Sequence, residues 1–419
     1  MENVITYQTA KHSHTKLYPR SLIVVIILFS LIYTDLFSKG GYVDEAVGLL
    51  SYAVLAFYWA KIKTEDLITL GLLGGVTLLG LIANVVFDIN TSIFSILIDV
   101  LAQTKLIVTF YAVHLFLNQK EKKAVLDILL PIAQAYILAA AFFALISQVA
   151  DIGMATDQRY GFPVYHFIFS FNHHYTTVSF LMFGVILFSN RLSAIHKRFF
   201  CIVGLLAILA AVKSPAIMFS AIFLFLTFYF RRYNKISIGI ILPMAAAIYF
   251  LGSYQIDEYF RSSDAPRRLF LQYSIVDANA HFPLGSGFGT FGSAEAAKHY
   301  SPLYYEYGFN NRWGLSPSYG MFLYDTYWPA ILGQFGWVGF VGYISVYARM
   351  FLRINKTKTT APEKAFLYAV FFQYMIHAIG AAILSTSTGL IGIIGLALFS
   401  EPDPELEKKK KRHKIKITF

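Results

Sequence analysis

The chain has 419 residues, 57% of them hydrophobic and only 14% charged, with 35 Lys and Arg against 24 Asp and Glu for a net charge of +11. Soluble domains carry roughly 25% charged residues, so a mean hydropathy of +0.56 excludes an ordinary soluble globule. The single cysteine, Cys201, excludes a disulfide within the chain.

Apolar runs of about 18–22 residues exclude a β-barrel, whose strands alternate in segments of roughly 10. The expected fold is all-α and polytopic, a single transmembrane bundle over 1–419. Its twelve spans fall at roughly 21–37, 46–60, 67–87, 93–117, 124–148, 175–190, 199–212, 214–230, 236–254, 328–348, 365–384 and 387–400. The basic residues sit in alternate connectors: Lys11, Lys16 and Arg20; Lys61 and Lys63; Lys120, Lys122 and Lys123; Arg191, Lys197 and Arg198; Arg231, Arg232 and Lys235; Arg349, Arg353, Lys356, Lys358 and Lys364. Such asymmetry places those connectors and both termini in the cytoplasm. It also explains the positive charge without nucleic acid. The polar N-terminus lacks a small-residue cleavage site, so no removable signal peptide is expected. Lys213-Ser214-Pro215 divides the seventh span from the eighth by a turn at the outer surface. The basic tail, 401–419, holds Lys408 to Arg412 and suits anionic headgroups.

One stretch breaks the apolar pattern. From Gln255 to Trp328 the chain is polar, aromatic and charged, and the topology turns this loop, 255–327, outward. It carries Arg261, Arg267, Arg268 and Arg312, a glycine run at Gly285, Gly287 and Gly289, and Asp325. Arginine recognises phosphate through two parallel hydrogen bonds. Leu269 to Ala280 reads as an amphipathic helix, with Leu269, Phe270, Tyr273, Ile275 and Val276 available for its apolar face. The glycines either admit a ligand to the backbone or simply permit positive φ. Tyr300, Tyr304, Tyr305, Tyr307, Phe309, Trp313 and Tyr319 suit either a membrane-interface belt or a stack against sugar rings.

Several chemistries lack their motifs. There is no P-loop, and no Asp-x-Asp pair to hold a metal against a nucleotide diphosphate. Gly287-Phe288-Gly289-Thr290-Phe291-Gly292 has dinucleotide spacing, but no strand precedes it. His173-His174 has no carboxylate nearby in sequence and reads as a water-facing pair. Asp99, Lys105 and His377 fall inside spans, where ions line cavities or pair. A transporter would show inverted repeats and broken helices at the midplane; the sequence suggests neither.

The segment from Arg267 through Pro283-Leu284-Gly285-Ser286-Gly287-Phe288-Gly289-Thr290-Phe291 resembles the signature of the O-antigen polymerase and ligase superfamily: an arginine, a helix, then Pro-Leu-x-Gly-x-Gly-x-x-x-Phe. Asp325-Thr326-Tyr327-Trp328 with Leu332, Gln334, Gly336 and Gly339 is similar to the family's His-Asn-x-Tyr-Leu-x-x-Leu-x-Glu-x-Gly-x-x-Gly. Lys213-Ser214-Pro215 stands where the family has Ser-Arg, and Arg159-Tyr160-Gly161 with Asn172 resembles its Arg-x-Gly…Asn element. Two departures matter. Ligases carry histidine where this chain has Asp325, which favours a polymerase. The Ser-Arg arginine is replaced, so Lys213 supplies that charge with less geometric definition.

The resemblance implies a glycosyl transfer outside the cytoplasm, in a bacterial inner membrane. Donor and acceptor are polyprenyl-pyrophosphate-linked oligosaccharides, and a chain-length regulator protein is an admissible partner. The product would be an O-antigen, capsule or exopolysaccharide. Arg267 or Arg268, with Arg159 and Lys213, would take the pyrophosphate, and Asp325 would act as base for the acceptor hydroxyl. Gly285, Gly287, Gly289, Arg312, Tyr305 and Trp313 are further candidates for substrate binding. No cofactor or metal is implied. Alternatives are a ligase moving the glycan to a lipid acceptor, and a flippase of lipid-linked sugars.

Overall fold

The computed structural model describes residues 18–37, 41–233 and 264–400. The predicted span 236–254, Arg261 and the two charged tails lie outside the described residues. The described residues form fourteen α-helices and one β-hairpin. In chain order the helices are α1 (Pro19–Phe37), α2 (Val43–Phe57), α3 (Thr64–Phe87), α4 (Ile93–Phe116), α5 (Gln119–Ile146), α6 (Asn172–Phe188), α7 (Ala194–Leu209) and α8 (Ser214–Arg232). After the undescribed stretch come α9 (Pro266–Ala280), α10 (Ala294–Lys298), α11 (Pro302–Glu306), α12 (Trp328–Asn355), α13 (Ala361–His377) and α14 (Ser387–Phe399). Each remaining predicted span falls on one of these helices. Six helices, α1, α3, α4, α5, α8 and α12, are long and apolar enough to cross a membrane. The protein is an all-α membrane protein.

Local chemistry sets the helix ends. Ser92 caps α4, and Asn118 with Glu121 forms a capping box on α5. Thr360 and Glu363 do the same for α13. Pro215 opens α8 after a turn in which Val212 adopts φ +46°, so the seventh and eighth predicted spans are separate helices. The hairpin pairs β1 (Ala155–Arg159) with β2 (Phe162–Tyr165), an element the sequence reading missed. Tyr160 and Gly161, both at positive φ, make its two-residue turn.

Two features depart from a simple bundle. The first is a break at Gly336, whose φ 61°, ψ −171° lies in a region essentially closed to other residues. The segment before it folds back along the segment after it. Trp328 meets Tyr347 at 5.7 Å, Phe335 meets Tyr343 at 5.1 Å, and the Tyr327 and Tyr347 hydroxyls bond at 2.9 Å. The expected continuous span at 328–348 is therefore a short helix, up to Phe335, folded back on a longer helix after Gly336. A broken helix is present, contrary to what the sequence suggests. A glycine among apolar neighbours gives no sign of a reversal until the Pro283–Gly285 backbone occupies the corner.

The second feature is the depth at which some helices begin. α2 runs parallel to α4, with Ser51 bonded to Thr109 and Tyr52 to Thr104. Lys105 pairs with Asp44 and Glu45 in the first turn of α2. Gly48, five residues into α2, packs on Lys105 and Leu101 near the middle of α4, so α2 begins about 10 Å down its neighbour. α14, only 13 residues long, starts beside Asp35 near the end of α1. At the opposite, basic end, Arg353 pairs with Asp66 and Lys356 with Glu65, tying α12 to α3.

Above the recessed ends, residues 264–327 form a cap with its own apolar core of Leu269, Phe270, Phe291, Leu303, Tyr304, Phe309, Leu315 and Leu323. Most of the loop aromatics are spent here. Tyr304 and Phe309 are fully buried, a use that neither the interface belt nor sugar stacking anticipated. The buried face of α9 is Leu269, Phe270, Ser274, Asp277 and Ala278, while Ile275 and Val276, expected inside, point outward.

Candidate functional site

The N-terminal turn of α9 and the end of the cap bring Arg267 and Asp325 together. Arg267 donates from Nε and Nη2 to Asp325 Oδ2 at 3.0 and 2.6 Å. Their side chains remain 18% and 29% exposed. The pair is half-sheltered, and water or a ligand can reach it. Burial raises the Asp325 pKa above its ordinary value, and the adjacent guanidinium opposes that shift. The sequence reading required such a rise for Asp325 to serve as a base. It did not anticipate that the two candidate residues would be bonded to each other.

The C-terminal end of α13 lies against this pair. The Arg267 side chain passes within about 4 Å of where a Cβ on Gly380 would stand. His377 is within electrostatic reach of Arg267, and His173 is within reach of both His377 and Lys213. Arg267 and Asp325 are in contact, while His377, His173 and Lys213 lie within electrostatic range along the same helix ends. A few residues away, Asp35 accepts bonds from Ser387 and Thr388, with His174 Nε2 at 3.8 Å. The histidine pair therefore does have a carboxylate partner, contributed by α1 and invisible to local spacing. Among the described residues no group of three or more His, Cys, Asp or Glu is placed to hold a metal ion.

The other candidates lie elsewhere. Gly285, Gly287 and Gly289 are buried, and their surroundings are protein. A Cβ at Gly285 would stand 2.3 Å from the Gly336 nitrogen. Gly287 N–H donates to the Gln334 carbonyl at 2.9 Å, and Gly289 N–H to Asp99 Oδ2 at 2.6 Å. Asn84 closes the loop through the Phe288 N–H and carbonyl, at 2.8 and 2.9 Å. The glycine loop is thus the joint that fastens the cap to α3, α4 and the break in α12. Asp99 serves this joint, and Lys105 serves α2, so the two charges of α4 do not pair with each other.

Asp277, fully buried, accepts from Ser286 at 2.7 Å, Tyr307 at 2.9 Å and His281 at 2.9 Å. That leaves Asp264 for Arg312, at 2.8 Å and largely in solvent. Arg268 is exposed on α9. Tyr305 and Trp313 project from the cap, Trp313 beside Tyr319 and Phe322 at 5.9 and 5.5 Å. Arg159 is half-buried at the hairpin turn. Asn172 anchors the end of that hairpin to the α7–α8 turn, donating to the Tyr165 and Ala211 carbonyls at 2.7 and 3.3 Å.

His377, His173 and Asp35 are the residues the sequence reading undervalued. Each sits at a helix end, where an ionisable group ordinarily faces interfacial water. They come together only where the ends of α1, α6, α13 and α14 meet. No protein-family model matches this chain, and comparison with curated proteins finds no match. Fold and site together define an all-α membrane protein with a cap over clustered ionisable groups.

Proposed function

We propose that this protein is a membrane glycosyltransferase that joins polyprenyl-pyrophosphate-linked oligosaccharide repeats into a surface polysaccharide. It would act at the outer face of a bacterial cytoplasmic membrane through twelve spans with both termini inside. The observation that carries this reading is the contact between Arg267 and Asp325. They come from the two separate segments that resemble the polymerase and ligase superfamily, and they meet beside Gly380 at the end of α13.

In the proposed step the acceptor hydroxyl oxygen attacks the anomeric carbon of the donor. The anomeric carbon–oxygen bond breaks, and its electron pair leaves with the lipid pyrophosphate. Arg267 stabilises the charge that develops there, with Lys213 adding a second positive charge. The hydroxyl proton passes to Asp325. The leaving group is already an anion, so no proton donor is required.

The test is reconstitution in vesicles with lipid-linked repeats alone. A polymerase yields a ladder of longer chains without nucleotide sugar or ion gradient, and the ladder persists in EDTA. Transfer to a lipid acceptor without a ladder supports the ligase reading. The break at Gly336 is the one observation that favours a flippase. Movement of labelled lipid-linked sugar across the bilayer, with no new glycosidic bond, would establish that reading instead.

A further inference from the structure

A cavity of about 370 Å³ lies between α9, α12 and the end of α13, lined by Leu271, Trp328, Pro329, Phe340, Ile344 and Ile379. Its lining is apolar throughout, and its volume falls in the range of small-molecule sites, roughly 300–1,000 Å³. The indole N–H of Trp328 is satisfied by the Met375 carbonyl at 2.9 Å, so the ring presents only apolar surface. The cavity is not sealed: Leu271, Ile344 and Ile379 are 42%, 44% and 46% exposed. Around it Val338, Val341 and Ile275 also face outward, and they make the surrounding surface suited to lipid.

Its position relative to the charged site is specific. Leu271 follows Arg267 by one helical turn on the same face of α9. Ile379 precedes Gly380, the residue the Arg267 side chain lies against. The apolar groove therefore runs directly into the guanidinium. Trp337 Nε1, bonded to Asn279 at 2.8 Å, holds the far end of α9 on α12.

We propose that this groove binds the polyprenyl chain of the lipid pyrophosphate, isoprene units nearest the head lying against Trp328 while the pyrophosphate meets Arg267. The inference rests on the proposed function for the identity of the lipid. The occupant is fixed by complementarity: an anionic head at one end and a branched apolar chain at the other. The groove opens to the side of the bundle, so the substrate enters from the bilayer and its chain never crosses the polar cap.

The probe is a polyprenyl pyrophosphate bearing a diazirine on its first isoprene unit, added to the full-length protein in nanodiscs. Crosslinks are expected on α9, α12 and the α13 end around Leu271, Ile344 and Ile379. Unlabelled polyprenyl pyrophosphate should displace them, and phosphatidylglycerol should not. Leu271→Trp and Ile344→Trp fill the groove at half-exposed positions. Each should weaken that competition at least tenfold. Crosslinks spread over the lipid-facing surface, or displaced equally by phosphatidylglycerol, would overturn the proposal even if both variants failed to fold. Groove-specific crosslinking without any glycan ladder would leave the groove standing and defeat the polymerase reading. A ladder made equally well by both tryptophan variants from long-chain donor would do the reverse.

Discussion

Arg267 directs Nε and Nη2 to a single oxygen of Asp325, and Oδ1 has no bonded partner among the described residues. This asymmetry separates two tasks within one ion pair. Oδ2 holds the guanidinium in place, and in the proposed reaction Oδ1 would receive the acceptor hydroxyl. A symmetric fork would have closed both oxygens.

Asp325→Asn should abolish polymer formation while leaving the protein folded and donor binding largely intact. Arg267→Ala should cost about 30- to 1000-fold in rate, corresponding to about 2–4 kcal/mol of transition-state stabilisation. Arg267→Lys should recover little of this. The pH profile distinguishes base from positioning residue. Burial raises the Asp325 pKa, so the basic form fills only as pH rises through a value above the ordinary 3.8. The rate of the wild type should therefore rise through that region and level off. An unchanged profile and full-length polymer in Asp325→Asn would make Asp325 structural.

Orientation is tested by labelling. Ser286 is fully buried in the glycine joint and suits no impermeant reagent, whereas Ser318 on the cap and Ser193 at the start of α7 are exposed. In a Cys201→Ser background, Ser318→Cys should react from outside the cell and Ser193→Cys should not. The reverse pattern would put the cap in the cytoplasm and remove the site from extracytoplasmic substrates.

The break in α12 predicts a sharp cost at one residue. Gly336→Ala places a side chain at φ 61°, ψ −171° and drives a Cβ to 2.7 Å from the Gly285 nitrogen. The backbone strain alone is on the order of 1–3 kcal/mol, and the clash adds to it. Thermal unfolding in detergent should fall by several degrees or more. Gly71→Ala, where the added carbon meets open space, should leave the midpoint within a degree or two.

His281 gives the cap a pH dependence. The Asp277 carboxylate, 2.9 Å away, raises the histidine pKa above 6.5. The proton is thus bound more tightly in the folded cap than in the unfolded chain. That stabilisation is complete below about pH 6.5 and is lost as pH rises through the higher folded value. Unfolding midpoints should decline over this interval. His281→Gln should flatten the decline, and a variant that keeps the wild-type slope would exclude His281 as its source.

Much was legible from the sequence because it depends on local chemistry. Apolar length marked eleven of the helices seen here, since a chain in lipid must satisfy its own backbone. The polar stretch from Gln255 to Trp328 marked the cap, and Arg267 and Asp325 were singled out within it. What the sequence left open were relations between distant segments. The depth at which α14 begins depends on the helices it packs against, and that packing sets Ser387 and Thr388 on Asp35 beside His174. The glycine run reads equally well as a ligand cradle or as a joint. The choice falls to Asn84, Asp99 and the Gln334 carbonyl, which take up its backbone groups. Gly336 is one small residue among many until Gly285 occupies the corner beside it. Local composition determined the membrane bundle and the reactive residue types, and tertiary packing alone decided which of them meet.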